Sequence, residues 1–123
     1  DEYIARRRQL AEIYYRELAD TEYQLPDVAD GNFHSYYLFV CRHPQRHFIL
    51  QYLKERDIFL NISYPWPVHT MPAYEHLGYR FGELPETERA AKEIFSLPMF
   101  PSLKDEEAVQ TCKVLKEALA QAE

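Results

Sequence analysis

Apolar positions recur at helical spacing at both ends of the chain and cluster at strand spacing between them. From Glu2 to Ala19, Ile4, Ala11, Tyr14, Tyr15 and Leu18 fall on one side while Arg and Glu fill the other, which predicts a helix. Thr21 to Asn32 is a polar loop broken by Pro26 and Gly31. Ser35 to Arg42 is dense in aromatic and branched residues and predicts a strand buried on both faces. Pro44 stands near the first turn of a helix through Arg56, whose stripe is Phe48, Ile49, Tyr52 and Leu53. Ile58 to Ile62 predicts a second strand. Beyond it, Ala73 to Leu77 reads as a short helical turn stopped by Gly78. Pro85 to Glu88 opens a helix continued by Ala90, Ala91, Ile94 and Phe95. Thr87 is its predicted N-cap, with acids in the first turn where the macrodipole favours them. Ser96 to Pro101 is short and marked by two prolines, an edge strand. The last helix runs from about Leu103 to Asp105 as far as about Ala120, with the stripe Ala108, Val109, Cys112, Leu115 and Leu119.

This order predicts one α/β domain over residues 1–123, of the two-layer α+β kind: a small three-stranded sheet covered by about four helices. The second face of such a sheet needs cover. Tyr36, Phe39, Phe59 and the loop after Ile62 are the candidates for a surface that docks on something outside the chain. The chain opens in helical register without an initiator Met, as a piece of a longer protein would.

The loop is the stretch the pattern does not explain. Pro65, Pro67 and Pro72 fix φ and remove three backbone donors, so Tyr64 to Tyr74 is neither helix interior nor central strand. It nevertheless holds the only Trp, two Tyr and His69. A stiff aromatic loop can form a ligand wall or an interface; alternatively Trp66 plugs its own core and the prolines shape the turn.

Composition narrows the partners. A length of 123 residues suffices to bury roughly two thirds of the unfolded chain's surface. A net charge of −6 argues against nucleic acid and anionic membranes, which call for a basic face. The run Arg6-Arg7-Arg8 reads as a solvated helix face paired with Glu2, Glu12 and Glu17. No apolar run approaches the ~20 residues of a membrane span, and no signal-peptide pattern is present. Cys41 and Cys112 make no metal-type spacing and read as buried thiols of a reducing, cytoplasmic compartment.

Catalytic constellations are sparse. His43 and His47 are four apart, but no carboxylate or Cys completes a zinc set. Cys41 with His34 could be drawn as a nucleophile pair, yet a Cys inside an apolar strand reads as core. No Ser lies in a nucleophile elbow. The five lysines, Lys54, Lys92, Lys104, Lys113 and Lys116, sit on or beside polar helix faces, not in an apolar pocket suited to imine chemistry.

Longer strings carry more. Tyr64-Pro-x-Pro-Val-His-x-x-Pro-Ala-Tyr74 followed by Leu77-Gly78 resembles a segment of the DegT/StrS family of sugar aminotransferases. So does Leu84-Pro85-x-Thr87-Glu88-x-Ala90-x-x-Glu93-Ile94-x-Ser96-Leu97-Pro98-Met99-Phe100-Pro101. Ser35 to Val40 is similar to that family's small-domain strand, and Arg7-x-x-x-Ala11-x-x-Tyr14 to its first small-domain helix. Met71 stands where the family most often has Gln, and Tyr37 where it often has His; either could alter which sugar is accepted. The resemblance covers nearly the whole chain, but only the C-terminal small domain of the family's aspartate-aminotransferase-type fold.

The resemblance implies a homodimeric parent enzyme that uses pyridoxal phosphate to move an amino group, usually from glutamate, onto a keto-sugar attached to a nucleotide. The Schiff-base lysine and phosphate cradle would lie in a large N-terminal domain, so this chain alone would be inactive, with no catalytic residue and no bound cofactor. The small domain would wall off the cleft, with Tyr64 and His69 donating hydrogen bonds to sugar or carboxylate and Trp66 beside them. His69 could equally make a structural bond to its own loop. Thr87 and Glu88 read as cap and helix-start charge. The alternative is a non-catalytic module that grips a carbohydrate or a protein with the Trp66 loop.

Overall fold

The computed structural model describes residues 1–122. In order, the chain forms α1 (Glu2–Leu18), β1 (Phe39–Arg42), α2 (Arg46–Lys54), two 3-10 turns (Val68–Thr70 and Pro72–Leu77), α3 (Pro85–Glu93), β2 (Ile94–Leu97) and α4 (Asp105–Gln121). Helices covering one small sheet are what the periodicity predicts; that the sheet is antiparallel is seen only in the structure. Helices α1 and α4 pack on each other, and α2 packs on α4. Leu10, Tyr14 and Leu18 of α1 meet Ala108, Cys112 and Leu115 of α4 in a core that also takes Ile49 and Leu53 of α2 and Phe39 of β1. Each fully buried Leu, Ile or Phe contributes about 1.5–3 kcal/mol relative to exposure. Tyrosine hydroxyls tie this core to the loops: Tyr14 to the Pro98 carbonyl (2.6 Å), Tyr15 to Pro26 (2.8 Å) and Tyr23 to Leu115 (2.8 Å). Both thiols are buried; burial pushes Cys41 far up and Cys112 to about 12, so neither is a ready nucleophile.

The sheet is smaller than the pattern suggests. β1 and β2 pair antiparallel, with Phe39 opposite Leu97 and Arg42 opposite Ile94. One bridge on each side extends the pair, Gln24 to Arg42 and Asn61 to Ser96. The predicted strand Ile58 to Ile62 contributes that single bridge, because its first residues close α2. Asp57 is left-handed at φ 59, its amide bonds the Lys54 carbonyl, and Ile58 bonds the Leu53 carbonyl. This is the double hydrogen bond that ends a helix at a left-handed residue.

β1 begins four residues later than predicted. Tyr36 turns left-handed at φ 49, and its amide donates to Nδ1 of His34, whose ring stacks on it at 4.1 Å. The expected docking face is corrected at the same point: Tyr36 and Phe39 are core residues, stacked on each other, and only Phe59 of that trio is exposed.

β2 spans Ile94–Leu97 in place of the predicted Ser96 to Pro101, taking Ile94 and Phe95 from the helix they appeared to extend. The buried Arg46 makes this abrupt change possible. Its guanidinium donates to the carbonyls of Ala91 (2.6 Å) and Ile94 (3.2 Å), which the end of α3 leaves unpaired. The α3 helix starts at Pro85, so Thr87 lies inside it and is not the N-cap.

The helix stripes shift slightly: Val109 and Phe48 are exposed, and Phe48 instead pairs with Tyr52 outside the core. The arginine run is no paired surface face. Arg6 donates to the Leu103 carbonyl (2.6 Å) and meets Asp105 (2.7 Å), joining the starts of α1 and α4. Arg8 donates to the His34 carbonyl and lies over Phe33. No helix among the described residues is long and apolar enough to cross a membrane.

Candidate functional site

From Tyr64 to Leu84 the chain leaves the core as an arm in which His69 is the one buried residue. Trp66 is 68% exposed and Tyr64 71%, so Trp66 does not plug the core of this chain. Val68, Tyr74, Leu77, Tyr79 and Phe81 are exposed with them. These side chains gather on one segment, where exposed apolar residues are usually scattered singly over a monomer's surface.

Local chemistry keeps the arm in shape. Pro65, Pro67 and Pro72 set φ. The amides of Thr70 and Met71 bond the carbonyls of Pro67 and Val68, and the Thr70 hydroxyl adds a second bond to Pro67 at 3.0 Å. Gly78, left-handed at φ 78, ends the second 3-10 turn.

One carboxylate fastens the arm to α3. Nε2 of His69 lies 2.9 Å from Oε1 of Glu88, and both side chains are nearly closed to solvent. The same carboxylate accepts the Gly82 amide on both oxygens (2.8 and 2.9 Å) and the Leu84 amide at 3.4 Å. The φ of 97° at Gly82 admits no other residue cheaply, and it turns that amide toward Glu88. The His69 hydrogen bond, helped by the two amides, holds the Glu88 carboxyl below its usual range against the burial that would raise it. The His69 ring lies edge-on to Tyr79 at 6.2 Å, and Lys92 Nζ sits 5.2 Å over Phe81.

The three residues singled out in the sequence therefore share one arm but not one environment. Tyr64 and Trp66 present their rings outward; His69 lies beneath, bonded to Glu88. Glu88 is the member that sequence reasoning missed as a site residue. Its place in the Pro85 to Glu88 run that opens the helix suggested helix-start charge, and no local spacing could reveal a partner 19 residues upstream.

The other histidines are dispersed. His34 stacks under Tyr36, His43 lies against Tyr23 and accepts the Gln45 amide, and His76 is exposed on the arm. Among the described residues no three His, Cys, Asp or Glu side chains gather as a metal-holding set.

Comparison with known proteins gives this geometry a context. A dTDP-3-amino-3,4,6-trideoxy-alpha-D-glucose transaminase of Micromonospora megalomicea subsp. nigra is 48% identical over 97% of this chain and 33% of its own length. The erythromycin biosynthesis sensory transduction protein EryC1 of Saccharopolyspora erythraea is 37% identical over 94% of the chain and 32% of its own. The crystal structure of DesV from S. venezuelae superimposes with a TM-score of 0.91 at 32% identity, over 95% of this chain and 32% of that one. The chain thus spans about a third of the length of the curated relatives it matches. The profile of the DegT/DnrJ/EryC1/StrS aminotransferase family matches residues 1–116, and the chain belongs to that family.

Proposed function

We propose that this chain is the C-terminal small domain of a pyridoxal-phosphate-dependent aminotransferase that aminates a nucleotide-linked keto-sugar, with an amino acid, glutamate, as donor. The observation that carries the reading is the 48% identity, along 97% of the chain, to a transaminase named for a dTDP-amino-sugar. It favours thymidine diphosphate as the nucleotide. The protruding arm adds physical support: a domain that closes a cleft needs an apolar, stiff surface that it does not bury itself, and Tyr64, Trp66 and their neighbours supply one. On this reading Tyr64 and Trp66 line the substrate side of the arm, and His69 stands behind them as its polar group. The arm or the face near Phe59 meets the enzyme's large N-terminal domain, and the parent works as a cytoplasmic homodimer.

The residues of this chain do not fit pyridoxal phosphate itself. An imine-forming lysine needs a desolvated setting that lowers its pKa, and all five lysines here are exposed. The cofactor's chemistry therefore belongs to residues outside the chain, and the role assigned to these residues is to bind, orient and exclude water.

The test is turnover by the full-length protein carrying this chain, supplied with pyridoxal phosphate, glutamate and dTDP-linked keto-sugars, with the amino-sugar read by mass spectrometry. Formation of a dTDP-amino-sugar supports the reading. Saturable binding of sugar or protein through Trp66 with no transamination of any keto-sugar would favour a non-catalytic module instead.

A further inference from the structure

Glu88 does more than close the arm; it dictates the proton pattern of His69. An ionised carboxylate has only acceptor sites, so the hydrogen of the 2.9 Å contact must reside on His69 Nε2. In the neutral ring that choice leaves Nδ1 as a bare acceptor. Nδ1 has no hydrogen-bond partner among the described residues, although the side chain is more than nine-tenths buried. Among the described residues the fully enclosed side-chain polar atoms without partners are Arg7 Nε and Arg46 Nε; His69 Nδ1 is not one of them, so it keeps a small opening to solvent. The ring cannot swing to offer its other nitrogen. Glu88 is held in turn by the amides of Gly82 and Leu84, and Tyr79 flanks the ring.

We propose that Glu88 is a positioning residue that locks His69 in the Nε2–H tautomer, so that Nδ1 accepts a hydrogen bond from a hydroxyl of the sugar. This rests on the functional reading above, in which the arm faces the nucleotide-sugar, and it sharpens that reading. While the ring is neutral its single N–H is committed to Glu88, and Nδ1 offers only an acceptor. An acceptor at this point favours a hydroxyl donor over the amino-acid substrate's carboxylate. A carboxylate that orients an imidazole through one nitrogen sets the chemistry of the other, as second-layer partners of histidine do generally.

The full-length protein labelled with 15N-histidine tests this directly, since long-range proton–nitrogen correlation reads which ring nitrogen of His69 carries hydrogen. The wild type should show Nε2–H. In Glu88→Gln, whose amide can donate as well as accept, the tautomer should become mixed or reversed, and KM for the nucleotide-sugar should rise about tenfold, as loss of one positioned hydrogen bond implies. Its kcat should change less, and Glu88→Asp, which keeps the charge, should restore part of the loss. Where Glu88→Gln does not fold, the wild-type tautomer and Glu88→Asp carry the test. Nδ1–H in the wild type overturns the proposal whatever the activity. So does a folded Glu88→Gln that changes tautomer but keeps the wild-type KM, because His69 would then be structural only. A wild type that shows Nε2–H but transaminates no nucleotide-sugar overturns the functional reading and the ligand named here, while leaving Glu88's control of the ring in place.

Discussion

The hydroxyl of Tyr14 donates a 2.6 Å hydrogen bond to the carbonyl of Pro98, joining the buried face of α1 to the residue that follows β2. Tyr14 is fully buried, its ring 5.1 Å from Phe39, and its hydroxyl reaches the half-buried Pro98 at the edge of the core, just after the strand that α3 runs into.

Tyr14→Phe keeps the ring and removes the bond. The variant should be less stable by about 1 kcal/mol, the net worth of one intramolecular hydrogen bond at a half-buried carbonyl. Urea unfolding at equal m-value measures it. An unchanged midpoint would mean that the carbonyl finds another donor.

Acid should open the arm before it unfolds the core. Because the Glu88 carboxyl is held below its ordinary range, its contribution is complete above pH ~4, the unfolded value for Glu. It is lost as pH falls through the lower, folded value. The amide proton of Gly82, bonded to both carboxylate oxygens, should report this as an NMR titration with a midpoint below the ordinary Glu value of about 4.3. A midpoint at or above that ordinary value would contradict the hydrogen-bond geometry.

Trp66→Ala and Tyr64→Ala should leave the isolated chain's stability within about 0.5 kcal/mol, because both rings are exposed. In the full-length enzyme either change should raise KM for nucleotide-sugar several-fold. Thermal midpoints and KM, measured side by side, separate a contact surface from a structural plug. A large drop in the isolated chain's midpoint would return Trp66 to a packing role.

His69→Ala should lower kcat/KM of the full-length enzyme by about 10- to 100-fold, the effect of losing one positioned hydrogen bond at a site of 1 to 3 kcal/mol. The midpoint should fall as well, since Glu88 is left with its two amides alone. Rates taken well below the midpoint isolate the first effect. Unchanged kcat/KM with a lowered midpoint would assign His69 to structure and remove it from the site.

This chain alone should form no specific imine with pyridoxal phosphate, since its five lysines are all exposed. An absorbance titration should show only the weak, non-saturating reaction of surface lysines. A saturable spectral change abolished by replacing one lysine would overturn this.

Periodicity along the sequence determined the four helices and their place over one small sheet, because a stripe of apolar residues such as Ala108, Cys112 and Leu115 has one stable use, burial against another element. Its prolines and aromatic residues also marked out the arm, and its longer strings pointed to the family. Only the tertiary structure decided where strands begin and end. Tyr36 and Asp57 adopt left-handed conformations that their residue types do not announce, and each is held there by bonds to His34 or to the end of α2. The same holds for the arm. Sequence placed His69 in a stiff loop and Glu88 in a helix's first turn as two separate local features. That they share one proton follows from the path of the 18 residues between them, through two 3-10 turns and two left-handed or positive-φ glycines, which no local spacing encodes.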